Sequence, residues 1–201
     1  MPYPDRFYPV VDSVAWVARL ALLGAGTIQL RAKKLGEADA LQTVKDALDV
    51  ISGTRAKLVV NDYWRAAIEA GARHLHLGQE DLADADVAAI REAGLTLGIS
   101  THDDAELETA LAAKPDYVAL GPIFPTTLKS MRFAPQGIPK ITEWKKRVGE
   151  IPLVAIGGIK LEHAKEIFAA GADSIAVVSD ITQNADADQR VRAWLGLKEA
   201  A

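Results

Sequence analysis

Cysteine is absent from the 201-residue chain, so disulfides and thiolate metal sites are excluded and the redox compartment is left undetermined. The first residues, Met1-Pro2-Tyr3-Pro4-Asp5-Arg6, lack the apolar run of a secretory signal. No stretch approaches the ~20 apolar residues that a membrane-spanning helix needs. A cytoplasmic protein with no membrane partner is therefore the expectation. A basic excess is missing as well: 23 Lys and Arg stand against 27 Asp and Glu, a net charge of −4. A nucleic-acid binder would carry a basic stripe, so nucleic acid is not an expected partner, although a local cationic pocket for phosphates stays open. Linkers, charge blocks and low-complexity tracts are also lacking, which points to one domain over residues 1–201. The sequence leaves room for a homo-oligomer.

What the chain does have is alternation. Hydrophobic residues make up 49% and charged residues 25%, enough for a large core and a charged surface. Short β-rich runs at residues 7–11, 27–31, 57–61, 74–77, 96–100, 117–120, 153–156 and 174–178 alternate with amphipathic stretches, among them 13–23, 38–51, 84–93, 103–113 and 161–170. Eight strands, each followed by a helical stretch, predict a closed parallel (β/α)₈ barrel, the TIM barrel of the α/β class. Gly24-Ala25-Gly26, Gly71-Ala72-Arg73 and Gly171-Ala172-Asp173 each fall between a helix end and a strand, where a left-handed glycine stops the helix. A solenoid would need a shared strand consensus, which is missing. A doubly wound open sheet would place a glycine-rich loop after the first strand, where this chain reads Val11-Asp12-Ser13. The longest irregular segment, 121–139, follows the sixth strand, and loops of that length are usually functional.

Polar residues gather at the C-terminal ends of the strands. The block Gln29-Leu30-Arg31-Ala32-Lys33 closes the second, and alternation puts Gln29, Arg31 and Lys33 on one face. Asn61-Asp62 closes the third, and Asp81 follows the fourth. These two carboxylates suit Mg²⁺, which keeps waters and shares ligands with substrate phosphates; alternatively each caps a helix. His76 lacks metal-ligand spacing and reads as a packed strand residue. Ser100 closes the fifth strand as a site hydroxyl or as a helix cap. After the sixth, Thr126-Thr127-Leu128-Lys129 offers hydroxyls and an ammonium, the latter alternatively a solvated lysine. Gly157-Gly158 after the seventh strand and Val178-Ser179 after the eighth occupy the loops that bind phosphate in this fold. A plain glycine turn is the alternative there.

In order and spacing, the blocks 29–33, 61–62, 76–81, 121–126 with Lys129, 156–159 and 177–181 resemble the thiamine-phosphate synthase family nearly end to end. The resemblance implies an enzyme, a transferase. It would join 4-amino-5-hydroxymethyl-2-methylpyrimidine diphosphate to a thiazole phosphate, release diphosphate and use Mg²⁺. It further implies that Gln29 contacts the pyrimidine diphosphate, with Arg31, Lys33 and Asn61 near its diphosphate. Asp62 and Asp81 would hold Mg²⁺, Ser100 would contact the pyrimidine side, and Lys129 the leaving diphosphate. Thr126 and its neighbours Thr127 and Leu128 would face the thiazole, and Gly158, Val178 and Ser179 would hold its phosphate through backbone groups. Many family members read Thr-x-Thr-Lys, so Leu128 removes the second hydroxyl. The related thiazole tautomerase, an isomerase, typically has histidine where this chain has Pro122. A non-catalytic phosphate-binding regulator on the same scaffold is the other rival.

Overall fold

The computed structural model describes residues 3–126 and 133–197. Eight strands, β1 (Phe7–Val11), β2 (Thr27–Leu30), β3 (Lys57–Asn61), β4 (His74–Leu77), β5 (Thr96–Thr101), β6 (Tyr117–Leu120), β7 (Leu153–Ile156) and β8 (Ser174–Val177), pair in parallel in sequence order. β1 also pairs with β8, which closes the barrel. The connecting helices are α1 (Val14–Leu23), α2 (Glu37–Ile51), α3 (Trp64–Glu69), α4 (Gln79–Asp84), α5 (Val87–Glu92), α6 (Asp104–Ala112), α7 (Gly137–Val148), α8 (Ala164–Ala169), α9 (Ser179–Thr182) and α10 (Ala187–Leu195).

Strand alternation sorts the side chains into two apolar layers. In β1, Phe7 and Val11 join the large layer beneath the helices, whereas Tyr8 and Val10 join Val59, Tyr117, Ala119, Val154 and Ala176 inside the barrel. The Tyr117 ring fits because its β5 neighbour is Gly98; a Cβ there would lie 1.9 Å from Tyr117 Cζ. At the N-terminal end of the strands, Tyr3 stacks on His74 at 4.6 Å and meets Tyr117 edge-on at 5.8 Å. That end is filled by rings, and the mouth of the barrel lies at the opposite, C-terminal end.

The helix stops match the sequence expectation. Gly24, Gly71 and Gly171 take φ of 95°, 72° and 106°, left-handed values that only glycine adopts freely. Three boundaries differ. The helix expected over 84–93 is shorter, α5 alone, and follows a separate helix, α4, that ends at Asp84: Ala85 is extended and the Asp86 carboxylate accepts from the Ala89 amide at 3.0 Å, starting α5 afresh. Residues 161–170 open with a 3₁₀ turn, Leu161–His163, before α8. The irregular segment after β6 ends by residue 136, since Pro139 lies in the first turn of α7, where its missing N–H costs nothing. Among the described residues, no helix is long and apolar enough to cross a membrane.

Candidate active site

A cavity of about 530 Å³ opens at the C-terminal ends of the strands. Its walls collect eight of the residues singled out from sequence: Gln29, Arg31, Asn61, Ser100, Thr126, Gly158, Val178 and Ser179. Gln29 and Arg31 line it together, as alternation requires. Leu30 is buried in the layer under the helices and Ala32 packs against that layer, so their side chains point away from the cavity. The Asn61 side-chain nitrogen is buried with no hydrogen-bond partner among the described residues, an orphaned donor that a bound anion or water would satisfy. Thr127, Leu128 and Lys129 lie outside the described residues.

Asp62 follows the cavity-lining Asn61 and comes together with Asp81 of α4, although neither carboxylate lines the cavity itself. Burial pushes the Asp62 carboxyl up to about 6, and the neighbouring Asp81 charge adds to it, while Lys33 and Arg31 pull the other way. The helix-cap alternatives fail on geometry. Asp62 has φ 66° and precedes Tyr63, the residue that starts α3 without any side-chain cap; Asp81 lies inside the first turn of α4, whose N-cap is Gly78. Two carboxylates this close repel unless a proton or a cation lies between them. With the cations of the β2 loop alongside, the donor set is hard oxygen only, which fits Mg²⁺ and not a softer metal. The Leu35 amide donates to the Tyr63 hydroxyl at 2.9 Å, pinning the loop that carries Arg31 and Lys33 against the end of β3.

The glycine pair after β7 has a reason that the sequence does not reveal. Gly157 and Gly158 take φ of 100° and 66°, and a Cβ on Gly158 would stand 2.5 Å from the Pro125 oxygen and 2.9 Å from Phe124 Cβ. One on Gly157 would stand 2.6 Å from Pro122 Cα. Glycine here first lets the β6–α7 loop pack onto the β7 turn, and the Phe124 amide donates to the Gly157 oxygen at 3.0 Å. Beside it, β8 runs into the short helix α9, the additional helix that forms phosphate sites in this fold. Asp180 anchors α9: its carboxylate, 7% exposed, accepts from Arg190 Nε and Trp194 Nε1, both at 2.8 Å, and from the Leu161 amide at 3.2 Å.

Five side chains from five strands cross the floor of the cavity in one hydrogen-bonded row. Gln29 Nε2 meets the Tyr8 hydroxyl at 2.8 Å, Tyr8 meets Tyr117 at 2.8 Å, Tyr117 meets His76 Nδ1 at 2.9 Å, and His76 Nε2 meets Ser100 Oγ at 2.8 Å. Burial, with the Arg31 charge adding to it, holds the His76 imidazole at about 3, so the ring is neutral. Ser100 is thus no helix cap: Asp103 caps α6 by accepting from the Glu106 amide at 2.9 Å. His76 is packed, as expected, but it also lines the cavity. Tyr8, Asp12, Trp16 and His102 line it too and were missed from sequence. Asp12 directly follows β1, the same strand-end position that exposed the others.

Residues 7–181 match the family described as thiamine monophosphate synthase. The thiamine-phosphate synthase of Rhizobium etli is 54% identical over 191 residues, 95% of this chain and 94% of that protein. That of Cronobacter sakazakii is 50% identical over 201 residues, 98% and 96% of the two chains. Among solved structures, the thiamine phosphate pyrophosphorylase from Pyrococcus furiosus aligns with a TM-score of 0.78 at 28% identity, covering 94% of this chain and 93% of its own.

Proposed function

Because the chain belongs to the thiamine monophosphate synthase family and is therefore an enzyme, we propose that it condenses 4-amino-5-hydroxymethyl-2-methylpyrimidine diphosphate with a thiazole phosphate, giving thiamine phosphate and diphosphate. The observation that carries this reading is the Asp62–Asp81 pair within electrostatic reach of Lys33 and Arg31, with Arg31 and the Asn61 that precedes Asp62 lining the cavity. That arrangement suits a substrate whose leaving group is a metal-bound diphosphate.

In this reading Asp62 and Asp81 hold Mg²⁺, which when bound supplies Lewis-acid stabilisation of the departing charge. Arg31 and Lys33 add fixed positive charge on the same side, and Asn61 offers its unpaired N–H to a diphosphate oxygen. Lys129 joins them on the resemblance alone. Gln29 and Ser100 orient the pyrimidine, which sheds diphosphate to leave a methylene cation stabilised by its ring amino group. The thiazole nitrogen attacks that carbon. The thiazole side is assigned to the loop holding Thr126, Thr127 and Leu128, and its phosphate to backbone groups of Gly158, Val178 and Ser179. No acid–base triad is required.

Incubating the purified protein with both substrates and Mg²⁺ tests the reading; thiamine phosphate and diphosphate should form in equal amounts. Rearrangement of the thiazole phosphate alone would instead indicate an isomerase. Binding of both substrates without product would indicate a phosphate-binding regulator.

A further inference from the structure

The row of side chains under the cavity has a direction. The Gln29 amide nitrogen can only donate, so the Tyr8 oxygen accepts from it. Tyr8 has one proton to give, and its remaining partner is the Tyr117 oxygen. Tyr117 then gives its own proton to His76 Nδ1, which must be bare to receive it. The imidazole proton is therefore on Nε2 and is donated to Ser100 Oγ. Along the row each proton is taken by the next member, and the row ends at the Ser100 hydroxyl, which lines the cavity. Reversing the row would leave the loose proton on Tyr8, which also lines the cavity but is only 1% exposed and has an oxygen already accepting twice. The forward direction leaves it on the more exposed Ser100, where a ligand can take it.

We propose that Tyr8, Tyr117 and His76 are positioning residues, a one-way hydrogen-bond chain that presents the Ser100 hydroxyl to the cavity with its proton free to be donated and holds Gln29 by its amide nitrogen. The inference rests on the synthase reading and deepens it by naming what the site selects. The ring bound there makes full use of the chain when it turns an acceptor atom, such as a neutral pyrimidine nitrogen, toward the Ser100 proton. Gly98 belongs to the device, because the ring of Tyr117 lies where any side chain on that residue would stand. Residues 109 positions apart in sequence are thereby brought into one row.

Two measurements on the intact protein test the chain. ¹⁵N NMR of the imidazoles, with His76 assigned by through-bond correlation to its own backbone, should find Nε2 protonated and Nδ1 bare at neutral pH in the unaltered protein. A proton on Nδ1 would overturn the proposal, and this reading does not depend on whether any variant folds. Binding is then measured with two separate probes, the pyrimidine alcohol that lacks phosphates and inorganic diphosphate with Mg²⁺. Tyr117→Phe should bind the alcohol about tenfold more weakly, the order of one neutral hydrogen bond, and diphosphate as the unaltered protein does. Equal loss for both probes, or no loss for the alcohol, would overturn it as well. If the unaltered protein forms no thiamine phosphate, the functional reading fails; if it does while His76 has the wrong tautomer, only the chain fails.

Discussion

Asp62 is the residue whose backbone and charge both depart from the ordinary. At φ 66° it occupies the left-handed region, which Asn tolerates and Ala does not readily adopt. Asp62→Asn therefore isolates the charge, whereas Asp62→Ala would mix in backbone strain. The Asp62 carboxyl, at about 6 when folded against an ordinary 3.8, means that the folded protein binds more protons than the unfolded chain between those values. Stability without Mg²⁺ should accordingly fall as pH rises through that window and stay at the lower level above it. Asp62→Asn should flatten the fall and melt above the unaltered protein at pH 7 in metal-free buffer. Mg²⁺ should then raise the melting temperature of the unaltered protein, since a ligand that binds only the folded state stabilises it, and leave the variant nearly unmoved. Melting curves across pH, with and without Mg²⁺, check both parts; an equal Mg²⁺ response in the two proteins would remove the pair from the metal site.

At the scale of elements, the loops after β6, β7 and β8 form one packed unit. Gly158→Ala should cost roughly 1–2 kcal/mol for the left-handed backbone alone, and more because the new Cβ would meet the Pro125 oxygen at 2.5 Å. The loop carrying Thr126 must then shift, so melting temperature and turnover should drop together. A loss confined to thiazole phosphate binding, at unchanged stability, would restore the simpler view that this glycine only admits an anion. Asp180→Ala tests the other side of the unit. It strips partners from Arg190, Trp194 and the Leu161 amide at a nearly buried position and should cost roughly 3 kcal/mol in denaturant titrations. Glu162→Ala, which removes an exposed partner of the same arginine, should cost no more than about 1 kcal/mol. How much of this was legible in the sequence follows from the range of each signal. Alternation and the glycine stops at Gly24, Gly71 and Gly171 act locally, so the strands and the barrel could be read. Gln29, Arg31, Asn61 and Ser100 stood out as polar residues ending apolar strands. The break at Asp86 was hidden, because one carboxylate competing for an amide looks the same as an exposed helical residue. Tyr8, Tyr117 and His76 were hidden more deeply: in a strand a tyrosine reads as core, and only barrel register brings their polar ends together.

The whole molecule divides its tasks between the two ends of the barrel. The C-terminal end carries the polar row, the paired carboxylates and the glycine turns, and so gives up some stability for its cavity. The N-terminal end is closed by apolar and aromatic contact, with Tyr3 stacked on His74 and set edge-on to Tyr117, and Lys57 Nζ 5.3 Å from the Tyr3 ring centroid. Nearby, the Ser174 hydroxyl donates to the Asp5 carbonyl at 2.6 Å and the Asp5 amide to Thr27 Oγ1 at 3.1 Å, tying the segment before β1 to the starts of β8 and β2. Tyr3→Ala should consequently act on stability and not on chemistry. Loss of a largely covered aromatic ring costs roughly 3 kcal/mol, and in a chain of this size that lowers the melting temperature by roughly 6–12 °C. The Tyr117 hydroxyl keeps both of its partners in this variant, so the row beneath the cavity should persist. Well below the melting temperature, kcat and KM should therefore stay within about twofold of the unaltered protein, because the interactions lost are equally present in ground and transition states. Steady-state kinetics at two temperatures beside a thermal melt make the comparison. A tenfold loss of kcat/KM in a fully folded variant would mean that the closed end and the site are mechanically joined through Tyr117, and that the division of labour between the two ends is wrong.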